Sequence, residues 1–308
     1  MSLVIVAPNR NIDEWLKEFY EEDKSVSIQV WPEISDPLSV VGAVVWNPPR
    51  GCLKSFPNLK FISSMGAGVD HIMRDPDLPD HVAVTRIVDD ALTRSMSNYV
   101  IAATLFHQRN LQKYISDKAN KIWDQESTPQ QNISIGIMGM GVLGTDVSLK
   151  LSALEFEVFG YSNSRKFIKN IKSYAGEEEL PAFLKQINVL VCLLPLTNNT
   201  KNILNRTLFD QVNKGTFLIN AARGHHLVEG DLLEAIERGS ISGAFLDVFK
   251  KEPLLEDHPF WNHPKIMLTP HIASITNPQA AVPQILKNMK AILSNQPLEN
   301  KVSRDQEY

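Results

Sequence analysis

An apolar run, Ile133–Met138, leads directly into Gly139-Met140-Gly141-Val142-Leu143-Gly144, and a helical pattern then continues to about Leu154. A strand that passes into a helix through this glycine spacing has few ways to fold. Gly139 lets the chain turn tightly, Gly141 lets the backbone come close to a pyrophosphate, and Gly144 lets the helix pack against the strand. The helix N-terminus presents unsatisfied N–H groups and a partial positive charge. Gly139, Gly141, Val142, Leu143 and Gly144 are therefore a candidate phosphate cradle. A ligand-free strand–helix turn can have the same spacing; the strand before it and the helix after it favour a dinucleotide.

The rest of the chain repeats this alternation of short apolar runs and helical patterns, which is the signature of parallel sheets with crossover helices. Before the glycine loop, strands are predicted at Leu3–Ala7, Ser27–Val30, Ala43–Trp46, Leu59–Ser64 and near Val82–Arg86, with a helix near Ile12–Glu21. After it, strands are predicted at Glu157–Tyr161, Asn188–Leu193, Thr216–Asn220, Gly243–Asp247 and Ile266–Leu268. Helices are expected over Glu178–Gln186, near Arg206–Gln211 and Gly230–Glu237, and over Gln279–Leu293. One long helix, about Met96–Ile115, bridges the two halves, and the polar stretch Trp123–Gln131 reads as a surface connection. A chain of 308 residues suggests two domains. The fold class is α/β: two Rossmann-like or flavodoxin-like domains, each on a parallel sheet, with a cleft between them. The expected boundaries are 1–97 plus 283–308 for a discontinuous substrate domain and 98–282 for the nucleotide domain.

Charge and cysteine content narrow the classes of function. Net charge is −4, so the electrostatic footprint of a nucleic-acid surface is missing. The two cysteines, Cys52 and Cys192, are far apart and lack metal-ligand spacing, which fits a reducing compartment and predicts no metal site. The N-terminus has no basic segment followed by a cleavage site. No apolar stretch approaches the roughly 20 residues of a membrane span. The expected location is the cytoplasm, with no membrane partner.

The end of the strand after the glycine loop chooses between dinucleotides. An NAD site usually places an acidic residue there, to accept from the ribose 2′-OH. Here the strand ends in Ser162-Asn163-Ser164-Arg165-Lys166, with no carboxylate. A 2′-phosphate would be welcomed by the two cations and the small hydroxyls. The reading is NADPH, with NADH as the alternative cofactor; a polar turn with incidental basic residues is the bland alternative.

Three later segments lie just past the carboxyl ends of predicted parallel strands, where open α/β sheets bind ligands. They are Asn220-Ala221-Ala222-Arg223-Gly224, Asp247-Val248-Phe249-Lys250-Lys251-Glu252-Pro253 and Thr269-Pro270-His271-Ile272-Ala273-Ser274. In this order, with Met65-Gly66-Ala67-Gly68-Val69-Asp70-His71 upstream, they resemble the D-isomer-specific 2-hydroxyacid dehydrogenase family over essentially the whole chain. Val45-Trp46-Asn47-Pro48-Pro49, Gly136-Ile137-Met138-Gly139, the basic turn and the tail ending in Tyr308 are similar to its bacterial glyoxylate/hydroxypyruvate reductase A branch.

The resemblance implies a hydride transfer between a nicotinamide cofactor and a small 2-oxo acid. Arg223 would offer a planar fork of donors to the carboxylate and the carbonyl. His271 would donate a proton to the carbonyl oxygen, and Glu252 would orient the imidazolium. The backbone N–H groups of Ala67 and Gly68 would hold the substrate carboxylate. Leu194, Pro195, Ala221, Ala222, Asp247 and Ser274 would flank the nicotinamide end, Asp247 by accepting from the carboxamide; a capping aspartate is its other reading. Trp46 reads equally as a pocket wall and as a core aromatic.

The resulting expectation is an NADPH-dependent reductase, turning glyoxylate into glycolate and hydroxypyruvate into D-glycerate, and a homodimer by resemblance. A reductase of bulkier 2-oxo acids is a second reading. A nucleotide-sensing interaction protein on the same fold is a third, because fold does not imply function.

Overall fold

The computed structural model describes residues 1–126 and 132–308. Of the expected surface connection Trp123–Gln131, residues 127–131 lie outside the described residues. The chain divides into two compact units, one of Met1–Leu92 with Ile275–Tyr308 and one of Thr93–Ser274.

The first unit is built on a five-stranded sheet with the order β2-β1-β3-β4-β5. The strands are β1 (Ser2–Val6), β2 (Ser27–Val30), β3 (Val40–Val45), β4 (Phe61–Ser64) and β5 (Ala83–Thr85), and every pair is parallel. All residues of β1, β3 and β4 are buried. That burial on both faces explains why they read as continuous apolar runs rather than alternating ones. Helix α1 (Asp13–Glu22) turns Trp15 and Phe19 inward, and the short α2 (Asp70–Met73) follows the β4 loop.

The second unit carries a seven-stranded parallel sheet with the order β12-β11-β10-β9-β6-β7-β8. Its strands are β6 (Ser134–Met138), β7 (Glu157–Ser162), β8 (Lys172–Ala175), β9 (Val189–Cys192), β10 (Thr216–Asn220), β11 (Ile241–Leu246) and β12 (Ile266–Leu268). Helices α5 (Val142–Ala153), α6 (Gly176–Leu184), α7 (Arg206–Phe209) and α8 (Glu229–Arg238) make the crossovers. The strand order turns back at β6, where β9 lies on one side and β7 on the other. Such a switch point is where open α/β sheets leave room for a ligand.

Two differences from the sequence reading lie in the second unit and the helix leading into it. The single helix expected over Met96–Ile115 is two helices, α3 (Asp90–Gln108) and α4 (Leu111–Asn120). The break falls at Asn110, which sits in the left-handed region at φ 54°; asparagine is among the few residues that visit this region readily. Strand β8 has no counterpart in the reading, because an edge strand of four residues with one buried side chain carries almost no periodic signal. The last helix, α9 (Pro278–Leu293), packs on α1 in the first unit.

Candidate active site

The glycine loop joins β6 to α5. Gly139 takes φ +107°, and a Cβ on Gly144 would lie 1.8 Å from the Gly139 carbonyl oxygen. Neither position tolerates a side chain without moving backbone. Gly141 differs: a Cβ there would meet nothing within 4 Å. Its hydrogen therefore faces open space above the start of α5, which has neither a side-chain cap nor an acidic residue in its first turn. Val142 is exposed and Leu143 is half-buried. An uncapped twelve-residue helix with a bare glycine at its mouth fits a pyrophosphate.

At the end of β7, Ser162 is buried and donates to the Ser164 carbonyl at 2.8 Å, which rounds off the turn. Asn163, Ser164, Arg165 and Lys166 are exposed. The Lys166 N–H donates to Ser173 Oγ at 3.1 Å. Arg165 donates from Nη1 to the Ser173 carbonyl at 2.6 Å and from Nη2 to Glu179 on α6. The arginine expected to meet a 2′-phosphate thus already faces one carboxylate of its own chain.

Arg223, Glu252 and His271 follow β10, β11 and β12, three adjacent strands whose carboxyl ends share one edge of the sheet. Gly224 brings the first two of these turns together: a Cβ there would lie 1.9 Å from the Phe249 carbonyl carbon. Arg223 is half-buried and donates from Nη1 to the Ala222 carbonyl at 2.7 Å. Glu252 Oε1 accepts the Phe249 N–H at 2.9 Å, and its Oε2 lies 2.8 Å from His271 Nδ1. Burial pushes the Glu252 carboxyl up. The hydrogen bonds from His271 and Phe249, with the charges of His271 and Arg223, outweigh burial and hold it below the ordinary carboxylate range. Facing an ionised carboxylate, Nδ1 is the donor, which leaves Nε2 to carry the mobile proton.

Asp247 holds the histidine loop. It is fully buried, and its Oδ1 accepts from Thr269 Oγ1 at 2.6 Å and from the Ile272 N–H at 2.8 Å. Its Oδ2 accepts the Ala273 N–H at 2.8 Å, and its carbonyl accepts the His271 N–H at 2.8 Å. Thr269 spends its proton on Asp247, so its oxygen accepts from Tyr99 on α3, 2.5 Å away. His271 sits within this cage at φ 55°, a left-handed backbone that persists only where its surroundings over-determine it. For Asp247 the sequence suggested a bond to a carboxamide; in the structure both carboxylate oxygens are engaged by the chain itself.

Leu194 and Pro195 are half-buried beyond β9, and Ala221 and Ala222 are buried beyond β10. Ser274 is half-buried at the end of the histidine loop. The Pro195 carbonyl lies 3.2 Å from Nε2 of the fully buried His226 and accepts from Thr200 Oγ1 at 2.6 Å. His226 thus braces this turn, a role with no local sequence signal.

In the first unit, the turn after β4 is shaped by Ser64. Its Oγ donates to the Gly68 carbonyl at 2.7 Å and accepts the Gly66 N–H at 3.2 Å. The Gly66 carbonyl accepts the Ile87 N–H at 3.0 Å. Among the described residues, the N–H groups of Ala67 and Gly68 meet no acceptor, and both residues are half-buried. With the Gly66 and Gly68 carbonyls already engaged, two adjacent amides suit one carboxylate. Trp46, after β3, is half-buried, with its ring against His71 at 5.1 Å.

The model of the D-isomer specific 2-hydroxyacid dehydrogenase NAD-binding domain matches residues 101–273. A relative from Yersinia enterocolitica, named glyoxylate/hydroxypyruvate reductase A, is 39% identical over 95% of this chain and 95% of its own. A D-isomer specific 2-hydroxyacid dehydrogenase from Xanthobacter autotrophicus, solved with NADPH and MES, superposes with a TM-score of 0.94 at 32% identity, covering 100% of this chain and 99% of its own. An NADPH-dependent glyoxylate/hydroxypyruvate reductase from Sinorhizobium meliloti, solved with NADP and sulfate, gives 0.93 at 34% identity over 100% of both chains.

Proposed function

This chain belongs to the D-isomer specific 2-hydroxyacid dehydrogenase family, and from that premise we propose that it is an NADPH-dependent reductase of glyoxylate and hydroxypyruvate. NADPH, when bound, supplies the hydride that reaches C2 of the 2-oxo acid. The α5 N-terminus with Gly139, Gly141, Val142, Leu143 and Gly144 receives the pyrophosphate, and Ser162, Asn163, Ser164, Arg165 and Lys166 receive the 2′-phosphate. Leu194, Pro195, Ala221, Ala222 and Ser274 line the nicotinamide end.

The Ala67 and Gly68 amides take the substrate carboxylate, and the guanidinium of Arg223 polarises the carbonyl. As negative charge grows on the carbonyl oxygen, His271 delivers a proton from Nε2 while Glu252 keeps hold of Nδ1. Glyoxylate gains a hydride and a proton and becomes glycolate; hydroxypyruvate becomes D-glycerate. Trp46 walls the substrate side and keeps the accepted side chains small.

The 2.8 Å pair of His271 and Glu252, fixed by a buried Asp247, is the observation that carries this reading. A sensing protein has no need of an imidazole aligned in this way, whereas proton delivery requires it. The relatives named as reductases, and those solved with NADPH or NADP, support the same substrates and cofactor. The deciding assay follows NADPH oxidation with each acid between about pH 5 and pH 8, the window in which histidine titrates. Absence of oxidation with both acids overturns the reading; an NADH rate above the NADPH rate overturns only the cofactor.

The working form is a cytoplasmic homodimer. No helix among the described residues is long and apolar enough to cross a membrane. The exposed Leu105, Leu111, Ile115 and Ile122 on and after α3 and α4 offer an apolar face for a second copy. Light scattering that returns the mass of one chain overturns the dimer.

A further inference from the structure

At the carboxyl edge of the first unit's sheet stands a cation that the proposed reduction does not use. Arg10 follows β1, in a turn closed by its own N–H on the Ala7 carbonyl at 3.3 Å. Its guanidinium carbon lies 4.7 Å above the centroid of the Trp46 ring. The same indole bounds the carboxylate-receiving turn, since a Cβ on Gly66 would come within 3.3 Å of it. Strands β1, β3 and β4 are neighbours, so Arg10, Trp46 and the Gly66–Gly68 turn emerge side by side from one edge.

Arg10 is half-buried, and burial pulls its pKa below the ordinary guanidinium value, with no carboxylate among the described residues acting to restore it. A guanidinium still stays charged at any pH at which the protein folds. Withdrawing a cation from water without a counter-charge is unfavourable. Stacking on the indole does not supply that charge. It occupies one face of the fork and fixes its plane, while the donors around the rim stay available to a ligand. The Ala67 and Gly68 amides serve one carboxylate, and Arg10 and the Gly66 end of that turn both lie against the Trp46 indole.

We propose that Arg10, held flat on Trp46, is a subsite for a second carboxylate on the substrate, so that the enzyme also reduces short 2-oxo dicarboxylic acids such as mesoxalate. This rests on the reductase reading. The chemistry balances as before: C2 gains the hydride, its oxygen gains the proton, and mesoxalate becomes tartronate with both carboxylates intact.

The test compares kcat/KM for mesoxalate and glyoxylate in the parent, in Arg10→Met and in Arg10→Lys. In Arg10→Met the mesoxalate value falls ~30-fold, the scale of one charge-assisted contact, and the glyoxylate value falls only a few-fold. Arg10→Lys recovers part of the mesoxalate loss, because the charge returns without the planar fork. Equal losses on both substrates, or a parent that reduces glyoxylate and leaves mesoxalate untouched, overturn the subsite. A parent inactive on glyoxylate and hydroxypyruvate overturns the reductase reading instead. Should Arg10→Met fail to fold, product inhibition of the parent decides: tartronate inhibits well below the glycolate concentration if the subsite exists, and equal inhibition removes it.

Discussion

The loop that carries His271 and the turn that follows β7 both lie in the second unit, yet they are built in opposite ways. The histidine loop is tied from beneath by a fully buried carboxylate with three donors, and its backbone is held where histidine would not choose to be. The turn at Ser162–Lys166 is exposed from Asn163 onward, and its arginine rests in an ion pair open to water. The proton delivery proposed for His271 would demand a fixed angle, and its loop is locked by bonds to a carboxylate that water does not reach. Recognition of a phosphate needs charge more than angle, and a solvated turn can supply it by adjusting when the nucleotide arrives.

The largest expected effect lies on the fixed side. His271→Ala should lower kcat by ~1,000-fold, within the usual range for loss of a general acid. NADPH binding, followed by nucleotide fluorescence, should persist. Undiminished turnover would remove His271 from the reaction and with it the reason for the cage. Asp247→Asn comes next, because its amide would point donors at the N–H groups of Ile272 or Ala273. Each buried group left unsatisfied costs about 1–3 kcal/mol. The melting temperature should fall by several degrees and kcat by ~100-fold, with the KM for NADPH nearly unchanged. A raised NADPH KM with kcat preserved would mean that Asp247 serves the nicotinamide rather than the loop.

Glu252→Gln tests the same cage through pH. The carboxyl is held below its ordinary range, so the His271 contact is intact above that range and is lost as pH falls through the folded value. The parent should therefore show an acid limb below the usual carboxylate pKa. Glu252→Gln should lose that limb and ~10-fold of kcat, since an amide orients the ring less firmly. An acid limb that survives unchanged assigns it to another group.

What the sequence revealed follows the same division. Strands β6, β9, β10 and β11 were legible because strands buried on both faces leave unbroken apolar runs. The glycine loop stood out because its spacing is a steric requirement; Arg223, Glu252 and His271 stood out because each lies past the end of a predicted strand, in an order that resembles the family. The tie from Asp247 was not legible: its backbone partners lie 25 and 26 residues away and carry no identity that a sequence can display. The Tyr99–Thr269 contact spans 170 residues and is equally silent. On the adaptable side, Arg165 was visible and Glu179 was not, because a carboxylate at the start of α6 reads as an ordinary helix-terminus acid.

The smallest effects belong to the turn. Arg165→Ala should raise the KM for NADPH by ~10-fold and leave NADH nearly unaffected, the size of one charge-assisted contact. Glu179→Gln should move the NADPH KM the other way. On the proposed reading, Arg165 gives up Glu179 before it turns to the 2′-phosphate, which the carboxylate would repel. Exposed ion pairs are worth about 0.2–1 kcal/mol, so the gain is bounded at ~5-fold. It should shrink as salt screens both charges. A higher NADPH KM in Glu179→Gln would mean that the acid holds Arg165 ready rather than holding it back. The turn would then be as preformed as the histidine loop, and the contrast between the two would reduce to one of burial alone.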